Sequence, residues 1–322
     1  MPVPLRTAAF WSVYRLLERA PVMQQPAEKV RAASELRKRM FRLPPAALIA
    51  GRTHRGVEVE ELSAQAADGT PLLLRVYRPL GSRGRALPAV LNFHGGGWVS
   101  GDVRQSEWWA SSVAAQADVV VVSVEYRLAP EHPFPGPPED CYDATLWVAE
   151  HADDLGVDPS RLAVMGDSAG GNLAAVVAMM ARDRGAPALA AQVLVYPSVD
   201  LADELPSERE NANAPILTGK DVANTPQLYF AGSARERSDP YASPLRGKHH
   251  DLPPALIQTA QYDPLRDHGA AYAAALRTAG VEVRLTNYVD AVHGYLSLPG
   301  LVPSARQALG EAVAFLREHL GP

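Results

Sequence analysis

The sequence predicts an α/β fold built on a mostly parallel sheet, and three observations carry that prediction. Short apolar runs rich in β-branched residues alternate with helix-length segments from about residue 88 onwards. Those runs are continuously apolar rather than alternating in polarity, as strands buried on both faces are. A hairpin signal precedes them, so the sheet opens with an antiparallel pair.

Taken in order, residues 1–50 read as two short amphipathic helices parted near Pro21 and Pro26. Phe10, Tyr14 and Leu17 form one stripe, and Val30, Ala33, Leu36 and Met40 form another. Arg37, Lys38 and Arg39 read as a solvated helix face. The runs 57–64 and 72–78 flank Asp68-Gly69, a hairpin-type turn. Buried strands are then expected at 88–93, 119–126, 161–166, 191–196, 254–260 and 281–288, with helices at about 105–117, 138–151, 169–183, 267–279 and 303–319. Two stretches interrupt this rhythm: the proline-dense 129–138, and 198–250, which is long, without a clear strand, and expected to carry helices of its own or to lie over a functional site.

Composition narrows the function. The chain has 322 residues, 47% hydrophobic and 21% charged, as a packed globular protein does. Its 31 Lys+Arg against 36 Asp+Glu leave a formal charge of −5, which argues against nucleic acid as a partner. Cys141 is the single cysteine, so no internal disulfide forms, and it reads as a small buried residue. Arg6, Arg15, Glu18 and Arg19 interrupt the N-terminal segment, which leaves no leader-like apolar run or membrane span, and a cytoplasmic protein is expected.

Gly166-Asp167-Ser168-Ala169-Gly170 is the most informative segment, because it joins an expected strand to an expected helix. A serine on so sharp a turn is lifted clear of the sheet, as a nucleophile must be. The Ala169 amide falls at the first turn of the helix, where unpaired N–H groups can stabilise an oxyanion. At the end of strand 88–93 stands His94-Gly95-Gly96-Gly97-Trp98. Gly95, Gly96 and Gly97 can present backbone N–H groups to the same oxyanion without Cβ obstruction. His94 precedes the nucleophile and is assigned to orienting this loop, while Trp98 could line a pocket or pack beneath it.

A serine nucleophile needs a base, and the base needs a carboxylate. Asp263 and His293 each follow a strand, in the chain order Ser, Asp, His. Asp267 is read instead as a helix N-cap, and Asp290 as a weaker competitor. His268 and His319 fall in helical segments, and His249-His250 lacks metal-ligand spacing. No zinc pattern and no dinucleotide fingerprint appears, so neither metal nor cofactor is implied.

Together these residues resemble the hormonesensitive-lipase-like group of α/β-hydrolase carboxylesterases, the bacterial family IV, over about residues 55–320. The marks are His94-Gly95-Gly96-Gly97, the stretch from Tyr126 to Pro135, Gly166 to Asn172, Asp263 to Asp267 and His293-Gly294. The resemblance implies an eight-stranded, mostly parallel sheet with helices on both faces. It implies a helical cap from residues 1–50 and an insertion at about 198–250 after the sixth strand. It also implies backbone donors at Gly96, Gly97 and Ala169, and hydrolysis of short- to medium-chain acyl esters by Ser168, Asp263 and His293. Members often pair into homodimers, which leaves the oligomeric state open. Asn92 departs from the aromatic residue that many relatives carry there. Amides, lactones or carbamates are alternative substrates, and a binding-only role, as in a plant hormone receptor of this fold that lacks the histidine, is disfavoured by His293.

Overall fold

The computed structural model describes residues 26–42 and 49–321. One eight-stranded sheet runs through the molecule in the order β1-β2-β4-β3-β5-β6-β7-β8. Its strands are β1 (Val57–Gln65), β2 (Pro71–Pro79), β3 (Leu87–Phe93), β4 (Val120–Val124), β5 (Val157–Asp167), β6 (Ala191–Val195), β7 (Ala255–Tyr262) and β8 (Val283–Val292). β2 is antiparallel to both of its neighbours, and all later pairings are parallel. The 66–70 turn closes the hairpin through Ala66 N–H to Thr70 O at 2.9 Å and Gly69 N–H to Ala66 O at 2.8 Å.

Period-two alternation explains the layering. Leu91 and Phe93 of β3, Val122 and Val124 of β4 and Leu162 and Val164 of β5 join one core. Val90, Val121, Ala163 and Met165 join the other. The first core is covered by α3 (Gly136–Glu150), α5 (Ala169–Arg184) and α8 (Arg266–Thr278), and the second by α2 (Glu107–Ala117) and α9 (Pro303–Leu320). The central strands, covered on both sides, are buried along most of their length, which is why they read as unbroken apolar runs. Asn92 is the polar exception in β3: buried, it donates to Ser123 Oγ at 2.9 Å, directly across the β3–β4 ladder.

Before the sheet lies α1 (Ala27–Arg42). Its inward stripe is Ala27, Val30 and Ser34, whereas Leu36 is 61% exposed and falls off the expected stripe. Six residues at 100° each carry Leu36 well round the helix from Val30. The expected helix near Phe10, Tyr14 and Leu17, and the side chains of Arg37, Lys38 and Met40, lie outside the described residues. A short α4 (Ala152–Leu155) precedes β5. Between β6 and β7 the interrupting stretch carries α6 (Pro206–Glu210), α7 (Gly219–Tyr229) and a 3-10 turn at Pro244–Arg246, as its length suggested.

Candidate active site

Four strand ends supply the site. β5 ends at Asp167, and Ser168 follows with φ 56° and ψ −118° before α5 begins at Ala169. Holding a non-glycine residue there costs about 1–3 kcal/mol, which the surrounding packing offsets. That packing needs glycine nearby: a Cβ on Gly170 would lie 1.9 Å from Phe93 O. The Ser168 amide donates to Val195 O at 2.9 Å, and its carbonyl accepts from Asn172 at 3.0 Å. Asn172 Nδ2 in turn donates to Ser198 O at 2.7 Å and Ala242 O at 2.8 Å, fastening α5 to both ends of the β6–β7 insertion.

Asp263 and His293 stand immediately after β7 and β8. The Ser168 hydroxyl donates to His293 Nε2 at 2.9 Å, and His293 Nδ1–H donates to Asp263 Oδ2 at 2.7 Å. Asp263 is fully buried, and its other oxygen accepts the Leu265 amide at 2.8 Å. These three candidates therefore form one continuous relay.

After β3 the glycine loop turns over the same edge. Gly96 has φ 128°, and a Cβ there would meet Ser100 O at 2.0 Å, so only glycine fits. Gly95 is a correction to the expected donor set. Its N–H is taken by Asp167 Oδ1 at 3.1 Å, so it is not presented to a substrate. No acceptor among the described residues takes the amides of Gly96, Gly97 or Ala169. His94 lies beneath the loop, stacked on Tyr126 at 4.3 Å, with Nδ1 against Gly95 O at 2.9 Å. Trp98 packs flat on Tyr229 at 4.4 Å, which settles its role as support. A cavity on this edge is lined by Gln105, Ser106, Trp108, Trp109, Asp167 and Leu296.

Comparison with known proteins agrees with this fold. A sequence profile described as an alpha/beta hydrolase fold matches residues 90–297. The chain belongs to the α/β-hydrolase fold family. Esterase LipI of Mycobacterium tuberculosis is 45% identical over 267 residues, covering 82% of this chain and 83% of LipI. Carboxylesterase NlhH from the same organism is 42% identical over 308 residues, covering 95% of this chain and 94% of NlhH. A thermostable esterase from Pseudomonas putida superposes with a TM-score of 0.90 at 36% identity, over 99% of this chain and 98% of its own. The likeness to hormonesensitive-lipase-like carboxylesterases expected from the motifs holds in this α/β-hydrolase.

The competing residues have other partners in this hydrolase. Asp267 lies inside the first turn of α8, where Leu265 is the N-cap, and its Oδ2 accepts the Ser207 amide at 3.0 Å. It therefore caps a neighbouring helix rather than its own. Asp290 accepts the Ser304 hydroxyl at the start of α9. His268 is buried, with Val199 N–H donating to Nδ1 at 3.2 Å and Nε2 against Glu208 at 3.1 Å. His319 packs on Phe315 at 4.4 Å. Cys141 is fully buried, and burial pushes its thiol well above the ordinary range, as an unreactive packing residue requires.

Among the described residues one group approaches metal-ligand spacing, Glu282, Glu318 and His319 at the amino end of β8. Arg284 already pairs with both of its carboxylates, bonding Glu318 at 2.6 Å with Glu282 at 3.7 Å. No helix among the described residues is long and apolar enough to cross a membrane.

Sequence reasoning missed Tyr196. It follows β6 with φ 37°, sets its ring 4.7 Å from that of His293 and points its hydroxyl to Asp167 Oδ2 at 3.5 Å. Its place at a strand's carboxyl end was the only available signal.

Proposed function

We propose that this chain is a cytoplasmic serine carboxylesterase hydrolysing small esters of short to medium acyl chain through an acyl-enzyme. The observation that carries the reading is the unbroken relay from Ser168 Oγ through the His293 imidazole to Asp263. Relatives named as esterases over nearly the whole chain give the same reaction class.

In this reading His293 Nε2 takes the Ser168 proton as Oγ attacks the ester carbonyl. Gly96, Gly97 and Ala169 donate N–H groups to the resulting oxyanion. His293 then protonates the departing alcohol, and the acyl group remains on Ser168. Water, deprotonated by the same imidazole, releases the acid. Asp263 holds the imidazole with its proton on Nδ1 and stabilises the charged form. The N-terminal 1–50 region and the 198–250 insertion act as a cap, and the tryptophans that line the cavity favour an apolar acyl or alcohol group. Every group in this reading comes from one chain, so pairing into a homodimer is not required for the chemistry.

The test is a series of p-nitrophenyl esters with wild type and Ser168→Ala. We expect kcat/KM to peak at roughly C4–C8 and the variant to retain the fold while losing at least about a thousandfold in kcat. Wild-type rates from a folded Ser168→Ala variant would remove Ser168 from the mechanism.

A further inference from the structure

The loop that carries Asp263 is completed by residues from the β6–β7 insertion. Ser207, fully buried in the first turn of α6, has its hydroxyl between two groups of that loop: it donates to Pro264 O at 2.6 Å and accepts the Asp267 amide at 3.0 Å. Asp267 answers by accepting the Ser207 amide at 3.0 Å. Each residue thus satisfies an otherwise orphaned N–H in the first turn of the other's helix, a reciprocal cap formed between α6 and α8 across 60 residues of sequence. At the far end of α6, Asn211 Nδ2 donates to the backbone carbonyl of Asp263 itself at 3.1 Å. Buried His268, in the first turn of α8, adds a third tie to Glu208 of α6 at 3.1 Å.

This arrangement concerns the chemistry because it adds restraint to the backbone on either side of buried Asp263. Its side chain makes two bonds, to Leu265 N–H and to His293, and both belong to the geometry that needs fixing. The Asp263 carbonyl accepts the Arg266 amide at 3.1 Å within the turn as well as Asn211 Nδ2, while the Pro264 carbonyl is held from outside by Ser207.

We propose that Ser207 and Asn211 are positioning residues for the reaction, holding the Asp263 carboxylate against His293 so that the acid is in register only while α6 is docked. The insertion then completes the catalytic machinery as well as covering it. This rests on the Ser168–His293–Asp263 reading, and the experiment separates failure of one from failure of the other.

The full chain is assayed on p-nitrophenyl butyrate as Ser207→Ala and Asn211→Ala, each alone and combined with Asp263→Asn, with folding followed by near-UV circular dichroism. Each single substitution should lower kcat roughly tenfold with KM little changed, since a displaced acid affects the transition state more than binding. In the Asp263→Asn background the same substitutions should cost less than about twofold, because residues that act through Asp263 have nothing left to position. Ser207→Thr, which keeps the hydroxyl, should recover much of the lost kcat. Penalties that multiply with Asp263→Asn, or that fall on KM alone, would overturn the proposal. Asn211, half-buried at the end of α6, carries the same test should Ser207→Ala fail to fold. Undiminished kcat in Asp263→Asn alone would overturn the triad reading instead.

Discussion

The Gly95 amide and the Asp167 carboxylate are joined by a 3.1 Å hydrogen bond that ties the glycine loop after β3 to the residue before Ser168. The glycine loop and Ser168, the donor loop and nucleophile of the proposed reaction, are thereby held in one frame, although 72 residues separate the two partners in sequence.

That carboxylate is costly to hold charged. Desolvation pushes the Asp167 carboxyl above the usual range, against the opposing pull of the Gly95 amide. The folded chain therefore keeps this proton to higher pH than the unfolded chain does. Stability is lost as pH rises from the ordinary carboxylate value through the folded one, and stays lost above it. Asp167→Asn retains an acceptor for Gly95 without that loss. We expect its Tm to equal or exceed wild type at pH 8 and the difference to shrink towards pH 4; the opposite trend in thermal melts would contradict the assignment.

The two carboxylates of the 263–267 segment should separate sharply. Asp263→Asn is expected to lower kcat about 10³–10⁴-fold by removing the partner that fixes the imidazole tautomer. Asp267→Asn keeps an acceptor for Ser207 N–H and should cost much less. A larger kcat loss in Asp267→Asn would reverse the roles.

Gly96→Ala places a Cβ where Ser100 O already stands and where φ is 128°. The loop must shift and its donor with it, so kcat should fall about 10²–10³-fold, the range for losing one oxyanion donor. Unchanged kcat in the folded variant would exclude this loop from the oxyanion site.

Away from the site, Arg127 binds buried Asp140 through two nitrogens at 2.9 and 2.6 Å. Arg127→Met leaves that carboxylate uncompensated and should destabilise the fold by about 3–5 kcal/mol, read as a fall in the urea midpoint. Arg127→Met with Asp140→Leu should recover part of it.

The sequence made the sheet and the three candidate side chains legible for one reason: each stands at or shortly past the carboxyl end of a strand that local patterning locates, if not to its last residue. Tyr196 was hidden because its importance comes from the approach of two strand ends, β6 and β8, far apart in sequence. The Ser207–Asp267 exchange was hidden in the same way, since an aspartate early in a helix looks like a cap for that helix. Strand β8 was expected to stop at 288 but runs to Val292, where the β7–β8 register shifts between Ala260 and Tyr262. His293 consequently projects from the strand's end rather than from a loop beyond it.

The segment from Tyr126 to Gly136 is held at both ends: Tyr126 and Ala129 bond the carbonyls of His94 and Trp98, and Phe134 N–H bonds Tyr229 O at the end of α7. With the α6 ties, the insertion is fastened to both the glycine-loop side and the Asp263 side of the candidate site. A graft that exchanges residues 198–250 to change selectivity therefore cannot be cut at the strand ends alone. The donor sequence must bring matching contacts for the acid loop and for Phe134, or the recipient loops must travel with it.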